Sequence, residues 1–188
     1  MRLFVALEIL DNVREKLAAL QKHMRAENLD LRWVPPESFH VTLKFIGEAT
    51  SAELEAIKSE LRGVRPEGPV RATFRGLGYS WSARRGGIFW VTMEVTETMK
   101  MLAAQINRRL ERLGIAAEER DFLPHLTLAR FKRPNSLPAI RAAIEAHQNR
   151  EFGSLLSEAL HLVESKLGPG GSKYLTVASF RFAQAANA

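Results

Sequence analysis

The chain has 188 residues, 46% of them hydrophobic and 26% charged, with no cysteine and a formal net charge of +6. This balance is that of a globular protein that folds unaided, and it excludes a disordered chain; the missing thiols exclude disulfides, a cysteine nucleophile and thiolate metal sites. No run approaches the ~20 apolar residues of a membrane span, and the positive charge favours an anionic partner unless it is only a solvated surface.

The opening MRLFVALEIL is apolar but is interrupted by Glu8 and followed by Asp11, unlike a secretory leader, so a cytoplasmic location is the default expectation. It reads as a strand over about 2 to 9, followed by a helix that starts at Asp11, taken as its N-cap, and runs through VREKLAALQKHM. After a second extended stretch, Pro35-Pro36 forbids helix, and SFHVTLKFIG reads as a strand ended by Gly47. The helix TSAELEAIKSELRGV comes next, with Glu53 and Glu55 in its first turn where the helix dipole favours acids, and VRATFRGLGYS is a strand.

The second part repeats this order: strand GIFWVTMEVT, helix TMKMLAAQINRRLERLG, strand PHLTLARF, helix SLPAIRAAIEAHQ and strand EALHLVES, with LTVASFRF added. Each half is a β-α-β-α-β unit, about 1–80 and 86–183, and no linker divides them. The pattern predicts a single α+β domain of two pseudo-symmetric lobes. Each lobe is a mainly antiparallel sheet with flanking helices, hairpins fall near Gly78–Gly87 and Gly168–Lys173, and a cleft separates the lobes.

The halves share a His-x-Thr triplet, His40-Val41-Thr42 and His125-Leu126-Thr127, 85 residues apart. On a strand, residues i and i+2 share a face, so each triplet presents an imidazole beside a hydroxyl while Val41 and Leu126 point to a core. With 5 His and 8 Thr in the chain, such a triplet is expected by chance on the order of 0.2 times. Two in equivalent places therefore mark a site, the alternative being two core histidines satisfied by nearby hydroxyls.

Two imidazoles form an acid–base pair near neutral pH, as in-line cleavage of a phosphodiester requires, and two hydroxyls can bond the non-bridging oxygens where negative charge grows. A strained cyclic phosphate suits such a site, because opening it takes little beyond positioning and proton transfer.

Paired His-x-Thr motifs resemble those of the two-histidine phosphoesterases. More narrowly, RLFVAL, RWVPPESFHVTLKFIGE, FLPHLTLARF and ESKLGPGGSKY are similar to the RNA 2′,3′-cyclic phosphodiesterases of bacteria and archaea, formerly grouped as 2′-5′ RNA ligases. The resemblance implies a bilobal α+β fold and hydrolysis of an RNA 2′,3′-cyclic phosphate to a 2′-phosphate without metal or cofactor. It further implies His40 as proton donor, His125 as proton acceptor, and Thr42, Thr127 and Arg130 as substrate-binding residues. A 2′-5′ ligase acting at the same site and a non-catalytic RNA- or nucleotide-binding module remain as alternatives. A monomer that needs neither membrane nor protein partner is expected.

Strict alternation puts Arg130 on the face opposite His125, and a bulge or strand end could re-aim it toward a phosphate, the alternative being a structural or surface role. Lys44 shares a face with His40 and Thr42 by the same rule and reads as a solvated rim lysine within reach of a backbone. Gly168-Pro169-Gly170-Gly171-Ser172-Lys173 fails the Walker pattern and reads as a hairpin turn. Trp33, Phe39 and Tyr174 are candidates for base stacking, with core packing as the alternative, and His23, His147 and His161 read as ordinary surface or satisfied residues.

Overall fold

The computed structural model describes residues 1–26, 29–117, 122–168 and 171–182. In chain order the elements are β1 (Arg2–Glu8), α1 (Asp11–Arg25), β2 (Arg32–Trp33), β3 (His40–Glu48), α2 (Ser51–Arg62), β4 (Val70–Ser82) and β5 (Gly86–Val95), then α3 (Glu97–Glu111), β6 (His125–Phe131), α4 (Leu137–Ala146), β7 (Glu151–Ser157), β8 (Ala159–Gly168) and β9 (Gly171–Arg181). Short 3₁₀ turns, Pro36–Ser38 and Pro134–Ser136, precede β3 and α4. The proline pair therefore tolerates one tight turn, with Pro36 at a position whose missing N–H costs nothing.

Helices form where the apolar spacing demands them. In α1 the residues Val13, Leu17, Leu20 and Met24 are buried at intervals of three and four, which puts them on one stripe. Its N-cap is Leu10, without a side-chain bond, and Asp11 is instead the first helical residue, with its carboxylate 3.5 Å from the Arg14 guanidinium. At α2 the cap is Thr50, which accepts from the Glu53 N–H while Glu53 accepts from the Thr50 N–H, a reciprocal capping box.

The strands form two antiparallel sheets, ordered β3-β1-β8-β9 and β2-β6-β5-β4-β7. With β2 set aside, β3-β1-β8-β9 matches β6-β5-β4-β7 position for position, so the fold is α+β with the internal symmetry read from the sequence. The third strand of each half has crossed over: β4 pairs with β5, and β8 pairs with β1. Each sheet thus holds strands from both halves, which interlocks them.

The β4–β5 hairpin turns within the interval foreseen for it, and β8 pairs with β9 from Ala159↔Arg181 to Gly168↔Gly171, on either side of Pro169 and Gly170, which lie outside the described residues. Strand β7, absent from the sequence reading, adds the edge next to β4. Its segment EFGSLLS shows no clean alternation and contains Gly153 at φ +124°, so the periodic signal is missing.

One face of each sheet packs against helices in a common core that includes Leu3, Val5, Leu7, Leu17, Phe74, Phe89, Leu126 and Leu128. The opposite face of β1 carries a second, small cluster of Phe4, Ala6 and Val163, against which Tyr174 packs. Strands β3 and β6 come into contact where the sheets meet.

Candidate active site

Both histidines start their strands, and both rings are pinned in the same way. The His40 Nδ1 donates to the Ser38 carbonyl at 2.7 Å, and the His125 Nδ1 donates to the Leu123 carbonyl at 2.9 Å. Fixing the Nδ1 proton on a carbonyl two residues upstream leaves Nε2 as the atom free to exchange a proton. The turn that supplies the Ser38 carbonyl is itself held by Arg14, which donates to the Pro36 carbonyl at 2.5 Å.

After each triplet the pairing slips by one residue at the same place in both strands. In β3, Thr42 pairs with Ala6 but Lys44 pairs with Val5, leaving Leu43 as the extra residue. In β6, Thr127 pairs with Trp90 but Ala129 pairs with Phe89, leaving Leu128 extra. These are β-bulges, and each reverses the alternation beyond it.

The bulge turns Arg130, paired with Ile88, back onto the face of Thr127 and His125, so the re-aiming that the sequence left open takes place. The same shift overturns the expectation for Lys44. It faces the core side beside Val5, is only 3% exposed, and donates from Nζ to the Ala116 carbonyl at 2.6 Å. Phe45 takes its place on the cleft face, 57% exposed. The β6 bulge is secured by Gln21 of α1: the Leu128 carbonyl accepts from Gln21 Nε2 at 3.1 Å and from the Val34 N–H at 2.9 Å.

The cleft face of the first sheet is paved with rings. Phe4 lies 4.8 Å and Tyr174 4.9 Å from the His40 ring centroid, and Phe4 meets Tyr174 edge-on at 5.4 Å. On the second sheet Trp90 lies 5.3 Å from His125, its indole resting on Gly78, where a Cβ would come within 2.6 Å of the indole Nε1. Burial among its neighbours lowers the His40 pKa, the Ser38 hydrogen bond opposes this, and the positive charges of Arg130 and His125 lower it further. The charges of Arg130 and His125 therefore reach the His40 ring across the cleft.

His40, Thr42, His125, Thr127 and Arg130 thus share one cleft. Of the stacking candidates only Tyr174 stands there; Phe39 is buried in the core and Trp33 packs against Phe89 at 6.4 Å. His161 lies on the cleft face as the partner of Ala6, with Nδ1 2.9 Å from the Ser179 hydroxyl, so it is satisfied as expected. Phe4, Trp90, Gly78 and Gln21 belong to the site or its support and were not foreseen; cross-strand neighbours of a known Thr are the signal that names Ala6 and Trp90, but it requires the register. Among the described residues no three His, Asp or Glu side chains converge to hold a metal, and no helix is long and apolar enough to cross a membrane.

A cleft between two symmetry-related sheets, each contributing one His-x-Thr strand, defines a two-histidine phosphoesterase architecture. The family model for LigT-like phosphoesterases matches the chain twice, over residues 7–90 and 91–174, and the chain belongs to that family. Relatives called RNA 2′,3′-cyclic phosphodiesterase include one from Methanothermobacter thermautotrophicus, 29% identical over 96% of this chain and 98% of the relative. Another is from Archaeoglobus fulgidus, 30% identical over 93% and 96%. Among solved structures, one from Thermus thermophilus superposes with a TM-score of 0.77 at 30% identity, covering 97% of this chain and 98% of that one. The Escherichia coli LigT complexed with 3′-AMP gives 0.73 at 23% identity over 97% and 98%, a likeness of fold.

Proposed function

We propose that this protein hydrolyses RNA 2′,3′-cyclic phosphate ends to 2′-phosphates, with His40 and His125 as its acid–base pair and with no metal or cofactor. The observation that carries the reading is the matched pinning of both rings: each Nδ1 is committed to a carbonyl two residues upstream, and each Nε2 is left for chemistry beside a threonine. The kinship with phosphodiesterases of that name supports the substrate.

In this reaction a water oxygen attacks phosphorus opposite the 3′ oxygen. His125 Nε2 takes the proton of the water, the P–O3′ bond breaks, and His40 Nε2 gives its proton to O3′. The product is a 2′-phosphate with a free 3′-hydroxyl, and the rings exchange protonation states, to be reset through solvent. Thr42 and Thr127 donate hydrogen bonds to the non-bridging oxygens, and Arg130 neutralises their charge.

His40 loses its proton readily in the free protein because burial disfavours the cation. A bound phosphodiester anion reverses that bias by sitting beside the ring and offsetting Arg130, so His40 is loaded as donor when substrate arrives. The lowered pKa also favours one second reading, in which His40 is the base and His125 the acid. An acidic leaving group departs without a proton, so on such a substrate His40→Ala recovers activity if His40 is the donor, and His125→Ala recovers instead if the roles are reversed.

Turnover of a labelled RNA ending in a 2′,3′-cyclic phosphate, with the product position identified, tests the whole reading. A larger, joined product in the presence of a 5′-hydroxyl RNA makes the site a ligase, and binding without turnover makes the protein a binding module. Activity in excess EDTA is expected; its loss, with restoration by one metal, removes the mechanism. A monomer acting in the cytoplasm completes the proposal, and light scattering of the purified protein checks the first part.

A further inference from the structure

Arg32 stands on the edge strand β2, and its backbone pairs directly with that of Arg130. Its neighbour Trp33 pairs with the fully buried Ala129 and packs on Phe89, which fixes Trp33 to the core side and Arg32 to the cleft side. Two arginines thus sit opposite each other on adjacent strands, whose backbones lie about 4.8 Å apart, and both residues are exposed.

Like charges placed directly across a strand pair destabilise the sheet. Among the described residues neither guanidinium has a carboxylate at ion-pair distance, although Arg14, Arg75 and Arg109 each do. Such a pair is relieved by an anion, and the planar guanidinium fork matches phosphate oxygens. Arg130 lies on the histidine strand, and Arg32 lies one strand further out, on the edge strand of the sheet.

We propose that Arg32 binds the phosphodiester one nucleotide upstream of the cyclic end, making the enzyme favour an oligonucleotide over a mononucleotide. The inference rests on the hydrolase reading above and adds a second phosphate to it. Arg130 takes the terminal phosphate, Arg32 the next, and the RNA chain leaves the cleft across β2.

The test is the ratio of kcat/KM for a trinucleotide to that for a mononucleotide, both ending in 2′,3′-cyclic phosphate. In Arg32→Gln this ratio falls about ten-fold, the worth of one charged contact, through KM of the trinucleotide; Arg32→Lys restores part of it. In Arg130→Gln the ratio holds while both rates fall. The slope of log kcat/KM against log salt for the trinucleotide becomes shallower by about 0.7 in Arg32→Gln, the share of one single-strand phosphate. Because both substrates meet the same preparation, a folding defect cancels in the ratio. An unchanged ratio in Arg32→Gln overturns the proposal, whether Arg32 shares the terminal phosphate or touches none. If the wild type turns over neither substrate, the hydrolase reading fails by itself, and the same ratio taken from the dissociation constants of the 2′-phosphorylated tri- and mononucleotide decides on Arg32.

Discussion

Strands β3 and β6 carry the same device, a histidine pinned through Nδ1, a threonine two residues on, and a one-residue bulge after the threonine. Beyond the bulge the two strands diverge. On β3 it buries Lys44 and exposes Phe45; on β6 it buries Ala129 and exposes Arg130. The floors differ in the same sense: Ala6 with His161 alongside Thr42, and Trp90 lying over Gly78 alongside Thr127. The duplicated backbone therefore supplies two matched histidine–threonine units, while the side chains around them make one half apolar and the other cationic. In the proposed reaction, charge neutralisation comes from one strand and desolvation of the ring from the other.

The largest expected effect tests what the halves share. His40→Ala and His125→Ala each lower single-turnover cleavage of a labelled cyclic-phosphate oligonucleotide by about 10²–10⁴-fold. The double variant falls little further, because the rings act in one step. Losses that multiply would separate the two strands into independent contributors. Next come Thr42→Val and Thr127→Val, each expected to cost roughly 10- to 1000-fold in kcat with the fold retained, as for deletion of one transition-state donor. A loss confined to one of them would mean that the matched geometry hides a one-sided anion site.

Smaller effects probe where the strands diverge. Lys44→Met leaves the Ala116 carbonyl without its donor, and denaturant unfolding should show a loss of about 1–3 kcal/mol with KM for substrate little moved; a selective rise in KM would return Lys44 to the cleft. Gln21→Met removes a donor from the Leu128 carbonyl and should cost about 1–2 kcal/mol, with kcat reduced because the bulge that aims Arg130 slackens. Normal kcat in that variant would show that the Val34 N–H holds the bulge alone.

The sequence made the paired units legible because a two-residue repeat and a His-x-Thr triplet are local signals, repeated 85 residues apart. The same rule of alternation misplaced Lys44 and left Arg130 undecided, since one extra residue flips every later side chain and nothing in HVTLKF or HLTLAR marks where it enters. The strand exchange of β4 and β8 was equally hidden: it is a choice of partner, and a strand's own pattern does not name its neighbour. Trp90 came into view only with the register, which makes it the cross-strand partner of Thr127, and Phe4 only with the packing of its ring on His40.

The smallest effect bears on how the two strands communicate. Burial is the chief cause of the lowered His40 pKa, and the charges of Arg130 and His125 add to it. The free protein should therefore show an NMR titration midpoint for His40 below the ordinary value of about 6.5. Holding the ring neutral in the fold means that its contribution to stability is present above that ordinary pKa and is lost as pH falls toward the folded midpoint. Phe4→Ala lets water reach the ring and should raise the midpoint most, because burial is the first cause. Arg130→Gln removes a positive neighbour and should raise it by less. The alkaline limb of kcat/KM, which reports the free enzyme, should shift the same way in both variants if His40 must carry a proton, and the limb should lie at higher pH in kcat, where the bound phosphate stabilises the cation. A midpoint indifferent to Arg130 would place that guanidinium too far from His40 to share a phosphate with it, and the cationic half of the cleft would then act on His125 alone.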